Sequence, residues 1–191
     1  MHDIGHLEVL IRNRYDAALT ATFPDWSSSR SKLWIQQLGI QSTREKQRYS
    51  NRESRKHLDE AARRAPRRTH GHIVANLSFG FWANLTRSER DATFWTPMLN
   101  RVYPGWTRGS IHDRMTKLNG FRNRLAHWEP MFSRTTGFAR HLGYVDELFA
   151  AVDPDVSAWV DEHSTVVELL SAMPVPVLQG LHGTYLRTKL D

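Results

Sequence analysis

Residues 4–21 place Ile4, Leu7, Leu10, Ile11, Tyr15, Ala18 and Leu19 at intervals of three and four, and the same spacing recurs along most of the chain. That period belongs to a helix with one buried stripe, whereas a half-buried strand needs strict alternation. The pattern predicts an all-α protein. Further helices are expected over "KLWIQQLG" (32–39), capped near Ser31 and stopped by Gly39, and over 42–64, 110–128, 138–152 and 154–172. The helix over 42–64 is expected to start near Ser42 or Thr43, with Glu45 placed for a capping box, and Pro66 lies beyond its end. "GHIVANLSFGFWANL" (71–85) reads as one buried helix on the spacing of Ile73, Leu77, Phe81 and Leu85, with Ser78, Phe79, Gly80 and Trp82 as close-packing residues. Residues 90–106 read as a short helix or turn region punctuated by Pro97 and Pro104.

The 191 residues are most simply one domain, 1–191, with enough chain for a true core. A 40% apolar fraction with seven tryptophans argues for a folded chain. The absence of cysteine excludes disulfides, thiol nucleophiles and thiolate metal sites, which fits a reducing cytoplasm. No run of about 18 apolar residues exists, so no membrane span is expected. "MHDIGHLEVLIRNRYDAAL" carries charge throughout and lacks the apolar region of a signal peptide. It enters an amphipathic pattern almost at once, as a chain would if further helices preceded it in a longer form.

Charge is unevenly placed. Residues 41–70 hold ten Lys and Arg against four acids, which accounts for the whole formal net charge of +6. Such a block neutralises phosphates and steers a polyanion inward, or forms a solvated helix face or mobile loop.

Several common chemistries are missing from the sequence. There is no Gly-Lys-Ser/Thr phosphate loop, no Gly-x-Gly-x-x-Gly, no Gly-x-Ser-x-Gly elbow and no His-Glu-x-x-His. The pairs His2/His6 and His70/His72 bring no carboxylates at ligand spacing, so neither metal nor cofactor is expected.

One stretch remains, "GFRNRLAHWEP" (120–130). It closes the helix over 110–128, whose apolar ladder is Ile111, Met115, Leu118, Phe121 and Leu125 and whose candidate cap is Ser110. Pro130 disfavours the α conformation at Glu129, so the helix should stop near Trp128. Arg122 and His127 are five residues apart, which turns an ideal helix about 500° and leaves the side chains about 140° apart. They converge only if the helix end distorts or if two copies meet across a two-fold axis. The residue types suit RNA cleavage without a metal. A histidine moves the proton of a 2′-hydroxyl or of a leaving 5′-oxygen, and an arginine fork holds the phosphate. The bland alternative is that Arg122 pairs with an acid and His127 meets a helix-end carbonyl.

"FRNRLAHWEP" resembles the Arg-Asn-x-x-Ala-His-x-Glu-Pro signature of the bacterial abortive-infection (Abi-like) proteins, within the HEPN superfamily of helical ribonucleases. Two more stretches resemble that family in the same order. "LEVLIRN" (7–13) is similar to its Leu-Glu-Val-x-x-Arg-Asn helix, and "HIVANLSFGFWANL" (72–85) to its Val-Ala-x-Leu-Ser-Phe-Gly-Phe-Trp segment. "PDVSAWVDEHSTVVELLSAMP" resembles the closing helix, so the likeness spans nearly the whole chain.

The resemblance implies a HEPN-like helical bundle that dimerises to pair two Arg-x4-His motifs. Arg122 would bind and activate the phosphate, Asn123 would orient the site, and His127 would transfer protons. The implied activity is metal-independent endoribonuclease, leaving 2′,3′-cyclic phosphate and 5′-hydroxyl ends, in phage defence or as a toxin held by an antitoxin partner. Arg12, Asn13, Arg124, Trp128 and Glu129 are the expected RNA-binding or supporting residues. Glu8, one turn before Arg12, is placed to pair with it on the helix surface. Where members often have a second histidine, this chain has Trp128, which either stacks on a base or, more ordinarily, packs in a core or dimer interface.

Two other readings stand beside this one. One is a non-catalytic helical scaffold that binds RNA or a partner protein through the basic segment. The other is an activity silenced by covalent modification, for which Tyr103, Tyr144 and Tyr185 offer hydroxyls.

Overall fold

The computed structural model describes residues 2–35, 41–129 and 135–172, and every regular element among them is helical. The order is α1 (His2–Thr20), α2 (Lys32–Ile35), α3 (Gln41–Arg64), α4 (His70–Ala75) and α5 (Phe79–Asn84). A 3₁₀ turn (Ser88–Arg90), a π-helix (Asp91–Leu99) and a second 3₁₀ turn (Asn100–Val102) follow. The chain continues into α6 (Arg108–Ala126), α7 (Thr135–Val152), α8 (Pro154–His163) and α9 (Val166–Ser171). The fold is all-α, and its contacts gather into two compact units. One is Val9–Asp113; the other joins Met1–Glu8 to Arg114–Asp191.

The Val9–Asp113 unit is built on aromatic side chains. Trp26 meets Trp82 at 5.8 Å between ring centroids, Phe81 meets Trp82 edge-on at 5.0 Å, and Tyr15 meets Trp82 at 6.1 Å. Edge-to-face pairs at these separations add to the gain from burial alone. Tyr103 donates its hydroxyl hydrogen to the Tyr15 oxygen at 2.9 Å, and burial raises the pKa of both phenols. Tyr103 is therefore closed to modification, contrary to its expected availability; Tyr144 is half-buried, and Tyr185 lies outside the described residues.

The helix α3 buries a mostly polar face made of Gln47, Ser50, Asn51 and Ser54, with Leu58 and Ala61 further along. A thin apolar stripe is what the sequence offers there, and Arg90 explains how the rest is buried. Its guanidinium is fully buried and donates to the Ser50 carbonyl and the Ser54 hydroxyl at 2.7 Å each, and to Asn51 Oδ1 at 3.2 Å. Phe94 and Trp34 lie under the cation at 4.8 and 5.8 Å. Loss of solvation pulls its pKa down to about 9, well above neutrality, so the charge is kept. Asn51 in turn donates to the Trp34 carbonyl at 2.9 Å, which ties α2 to the same network.

Four local expectations are corrected. The segment 71–85 is two short helices rather than one, because Ser78 turns extended (φ −79°, ψ 160°) and Asn76 caps the first half by donating to the His72 carbonyl at 2.8 Å. Ser78 is also exposed at the start of α5 instead of close-packed. The cap of α6 is Thr107, whose hydroxyl accepts from the Ser110 N–H at 3.2 Å, so the helix starts before Ser110. The segment 154–172 breaks at Ser164, which is extended (φ −71°, ψ 129°) and whose Oγ donates to Asp3 at 2.7 Å while accepting from the Val166 N–H.

Other expectations hold. α1 buries Ile4, Leu7, Ile11, Tyr15, Ala18 and Leu19. Ser31 Oγ caps α2 by accepting from the Leu33 N–H, and α3 ends before Pro66. Gly39 and the side chains of Ser42 and Thr43 lie outside the described set. In the second unit Met115, Leu118 and Phe121 of α6, Leu142, Val145, Leu148 and Phe149 of α7, and Val160 of α8 are buried. Asp153 caps α8 by accepting from the N–H groups of Asp155 and Val156.

Replacing Arg90 with Ala strands the Ser50 carbonyl, Ser54 and Asn51 in a dry interior. The expected loss is about 3–5 kcal/mol of stability, read as a lower urea midpoint with loss of α3 helicity by circular dichroism.

Candidate functional site

The stretch that closes α6 ends it in a defined way. The Trp128 N–H bonds to the Leu125 carbonyl at 3.2 Å and the Glu129 N–H to the Arg124 carbonyl at 3.1 Å. This crossed pair is a Schellman termination, which needs its first donor residue to be left-handed. Trp128 occupies that position at φ 56°, the one non-glycine positive φ among the described residues. Glycine adopts this conformation freely, while a side chain is strained against its own carbonyl. The indole is 93% exposed, so packing into this chain's own core is excluded as its role.

Arg122 and Asn123 lie on the last turns of α6, and His127 follows its final residue. The His127 N–H still bonds to the Asn123 carbonyl at 3.0 Å, so the backbone keeps its helical path up to that residue. The divergence of Arg122 and His127 follows: one chain does not bring them to a common face. Asn123 and His127 are exposed; Arg122 and Arg124 are half-buried; Glu129 is exposed.

Arg122 Nη1 donates to Asn123 Oδ1 at 3.4 Å, and its Nε stands 3.8 Å from the Glu8 carboxylate on α1. Glu8 therefore turns to Arg122, not to Arg12 as expected. Arg12 instead donates from Nε to Asn13 Oδ1 at 3.4 Å, so the echo of "IRNR" in "FRNR" is repeated in side-chain geometry. Arg12 and Asn13 belong to the Val9–Asp113 unit. An ion pair as long as Glu8–Arg122, at a half-buried surface position, contributes little stability, leaving the guanidinium able to exchange partners.

All ten Lys and Arg of residues 41–70 are exposed, eight of them on α3. The expected solvated helix face is what the structure has over 44–64. Opposite the buried stripe, Arg52, Arg55, Lys56, Asp59 and Arg63 line a surface groove of about 340 Å³. The exposed Tyr49 lies beside it, with the Arg52 guanidinium 5.3 Å from its ring centre.

Two clusters were not legible in the sequence. Asp16 Oδ1 accepts from Trp26 Nε1 at 2.9 Å and from Thr20 Oγ1 at 3.1 Å, and it lies 2.8 Å from His70 Nε2. The other ring nitrogen of His70 is 2.9 Å from Ser27 Oγ. The order Ser–His–Asp has the look of a nucleophile, base and orienter. Ser27 is buried, however, and the carboxylate oxygen is shared among three partners that join α1, the following loop and α4. The arrangement is a structural tie, and it engages both nitrogens of His70. Among the described residues no group of three or more His, Asp or Glu is placed to hold a metal ion.

The second cluster surrounds His141 on α7. Its ring stacks on Phe121, one residue before Arg122, at 4.5 Å, and Nδ1 donates to the Gly137 carbonyl. Burial, then the cations Arg124, Arg140 and Lys117, lower its pKa against the opposing effect of the Gly137 bond. This unit thus presents several cations near the end of α6. His141 was invisible in the sequence because nothing local to α7 says which α6 residue it covers.

Comparison of the chain with protein-family models, curated proteins and solved structures gave no match.

Trp128→Gly removes the strained side chain at the α6 terminus and is expected to raise stability by about 1 kcal/mol, measured by denaturant melts. A second expectation concerns acid. His112, lowered by burial and by Arg108 and Arg87, and His141 both bind a proton less readily when folded. Their contribution is fully present above the ordinary value of 6.5 and is lost as pH falls below it, because the unfolded chain then takes up more protons. The melting temperature should drop as pH falls below 6.5, and replacing both histidines with Gln should flatten that drop.

Proposed function

We propose that the chain is a metal-independent endoribonuclease of the HEPN type, working as a homodimer in phage defence or as a cytoplasmic toxin restrained by an antitoxin. The observation that carries the reading is the half-buried Arg122 and the exposed Asn123 on the last turns of α6 with the exposed His127 just past its end, splayed so that one copy holds half of a site. Two copies related by a two-fold axis supply two arginines and two histidines.

The chemistry needs no protein nucleophile. A 2′-hydroxyl attacks the adjacent phosphorus as one histidine takes its proton, the P–O5′ bond breaks, and the other histidine gives a proton to the leaving oxygen. Products are a 2′,3′-cyclic phosphate and a 5′-hydroxyl. Arg122 holds the phosphate and meets the charge that builds on its oxygens, and Asn123 steadies the arginine through the contact already made. The weak pairing of Arg122 with Glu8 supports this role, since a phosphate displaces it at small cost.

The cationic face of α3 supports RNA as the ligand and equally favours a second reading, a non-catalytic scaffold that binds RNA or a partner protein. Purified protein incubated with total RNA in the presence of a chelator separates them. Cleavage that falls at least a hundredfold, as an order of magnitude, in Arg122→Ala and in His127→Ala, with unchanged melting curves, is the expected result. Salt-sensitive binding without cleavage would support the scaffold, and cleavage that persists in both variants would sink the assignment.

A further inference from the structure

We infer that Trp128 is a nucleobase-stacking residue at the end of α6, holding a base of single-stranded RNA beside the Arg122–His127 half-site; this rests on the reading of the chain as RNA-binding. Three observations carry it. The indole is 93% exposed, so its face is open. It stands at φ 56° in a Schellman termination where glycine fits without strain, so the side chain is there against the preference of its own backbone. Its described neighbours along the chain are mostly ionic or polar, Arg122, Asn123, Arg124, His127 and Glu129, with Leu125 half-buried and the small Ala126 exposed.

That company decides between two occupants. A second copy of the chain docking on Trp128 would bury an apolar centre, and homodimer interfaces are richer in apolar surface than the rest of a protein. Among the described residues the turn around Trp128 offers one large exposed apolar side chain, with only the small Ala126 exposed and Leu125 half-buried beside it, which is the pattern of a scattered surface residue and not of a docking patch. A base needs what is present: a flat π-face to stack on and cations close by for the adjoining phosphates. The left-handed turn also fixes where the ring leaves the helix, one residue past His127.

The test measures binding in a full-length His127→Ala background, so that RNA is not consumed. Fluorescence anisotropy follows a short single-stranded RNA and the same strand made abasic. Trp128→Gly is expected to weaken binding of the base-bearing strand about tenfold or more while leaving the abasic strand unchanged, and Trp128→Phe to restore most of the loss. Sedimentation of the same variants reports their oligomeric state. Equal affinity of Trp128→Gly and its parent for the base-bearing strand overturns the inference, as does absence of RNA binding by the parent. So does loss of a dimer in Trp128→Gly with equal weakening for both strands, which makes the ring an interface residue. Base-dependent binding lost in Trp128→Gly, with no cleavage by the unmodified protein, upholds the stacking role and removes the nuclease reading. Cleavage by the unmodified protein with binding untouched by Trp128→Gly does the reverse.

Discussion

A guanidinium without water is the constraint on which the Val9–Asp113 unit depends. Arg90 needs several acceptors if its charge is to stay buried, and α3 supplies them from two turns of polar side chain and backbone. The reverse dependence is as strict, because α3 has too few apolar residues to bury itself. Neither partner is stable in a dry interior alone. Polar burial leaves α3 with a hidden face that is specific and an outer face free of packing duties, on which Arg and Lys accumulate. The cation density of the chain is thus a result of how one helix is anchored.

The end of α6 follows another logic. Its interior turns are held by the ladder of Ile111, Met115, Leu118 and Phe121, while its terminus carries exposed groups that do nothing for packing. Phe121 links the two, since it sits in the core, carries the stacked His141 and precedes Arg122. Chemistry proposed for this terminus therefore starts one residue from a buried phenylalanine stacked on a half-buried histidine.

Helical class and most element positions were readable because a period of three and four is a local property, and α1, α6 and α7 display it over many turns, while α3 was read from its charged run and the Pro66 beyond its end. The break inside 71–85 was not, because "VANLSFGF" keeps helical spacing through Asn76–Ser78, and the side-chain bond of Asn76 to His72 wins over it. The same holds at Ser164, whose partner Asp3 is far away in the sequence. Arg90 was overlooked for a related reason: an isolated arginine reads as surface until its acceptors, some forty residues earlier, are in place. In the candidate site, the residue types and the mutual divergence of Arg122 and His127 were legible from helix geometry. The left-handed Trp128 was not, since bulky residues rarely adopt that conformation. Nor was the turn of Glu8 toward Arg122, which depends on where α1 and α6 pass each other at that end.

The contact of Glu8 with Arg122 bears on how the proposed site would meet an anion. The arginine already rests near one carboxylate, so an incoming anion arrives by substitution. A singly charged, loosely held ion would offer little that Glu8 does not, whereas the two non-bridging oxygens of a phosphodiester would match the arginine fork and bring neighbouring charges with them. On the proposed nuclease reading, so weak a resident contact holds the arginine in place without blocking it, and the advantage of a polymer would come from engaging several cations at once.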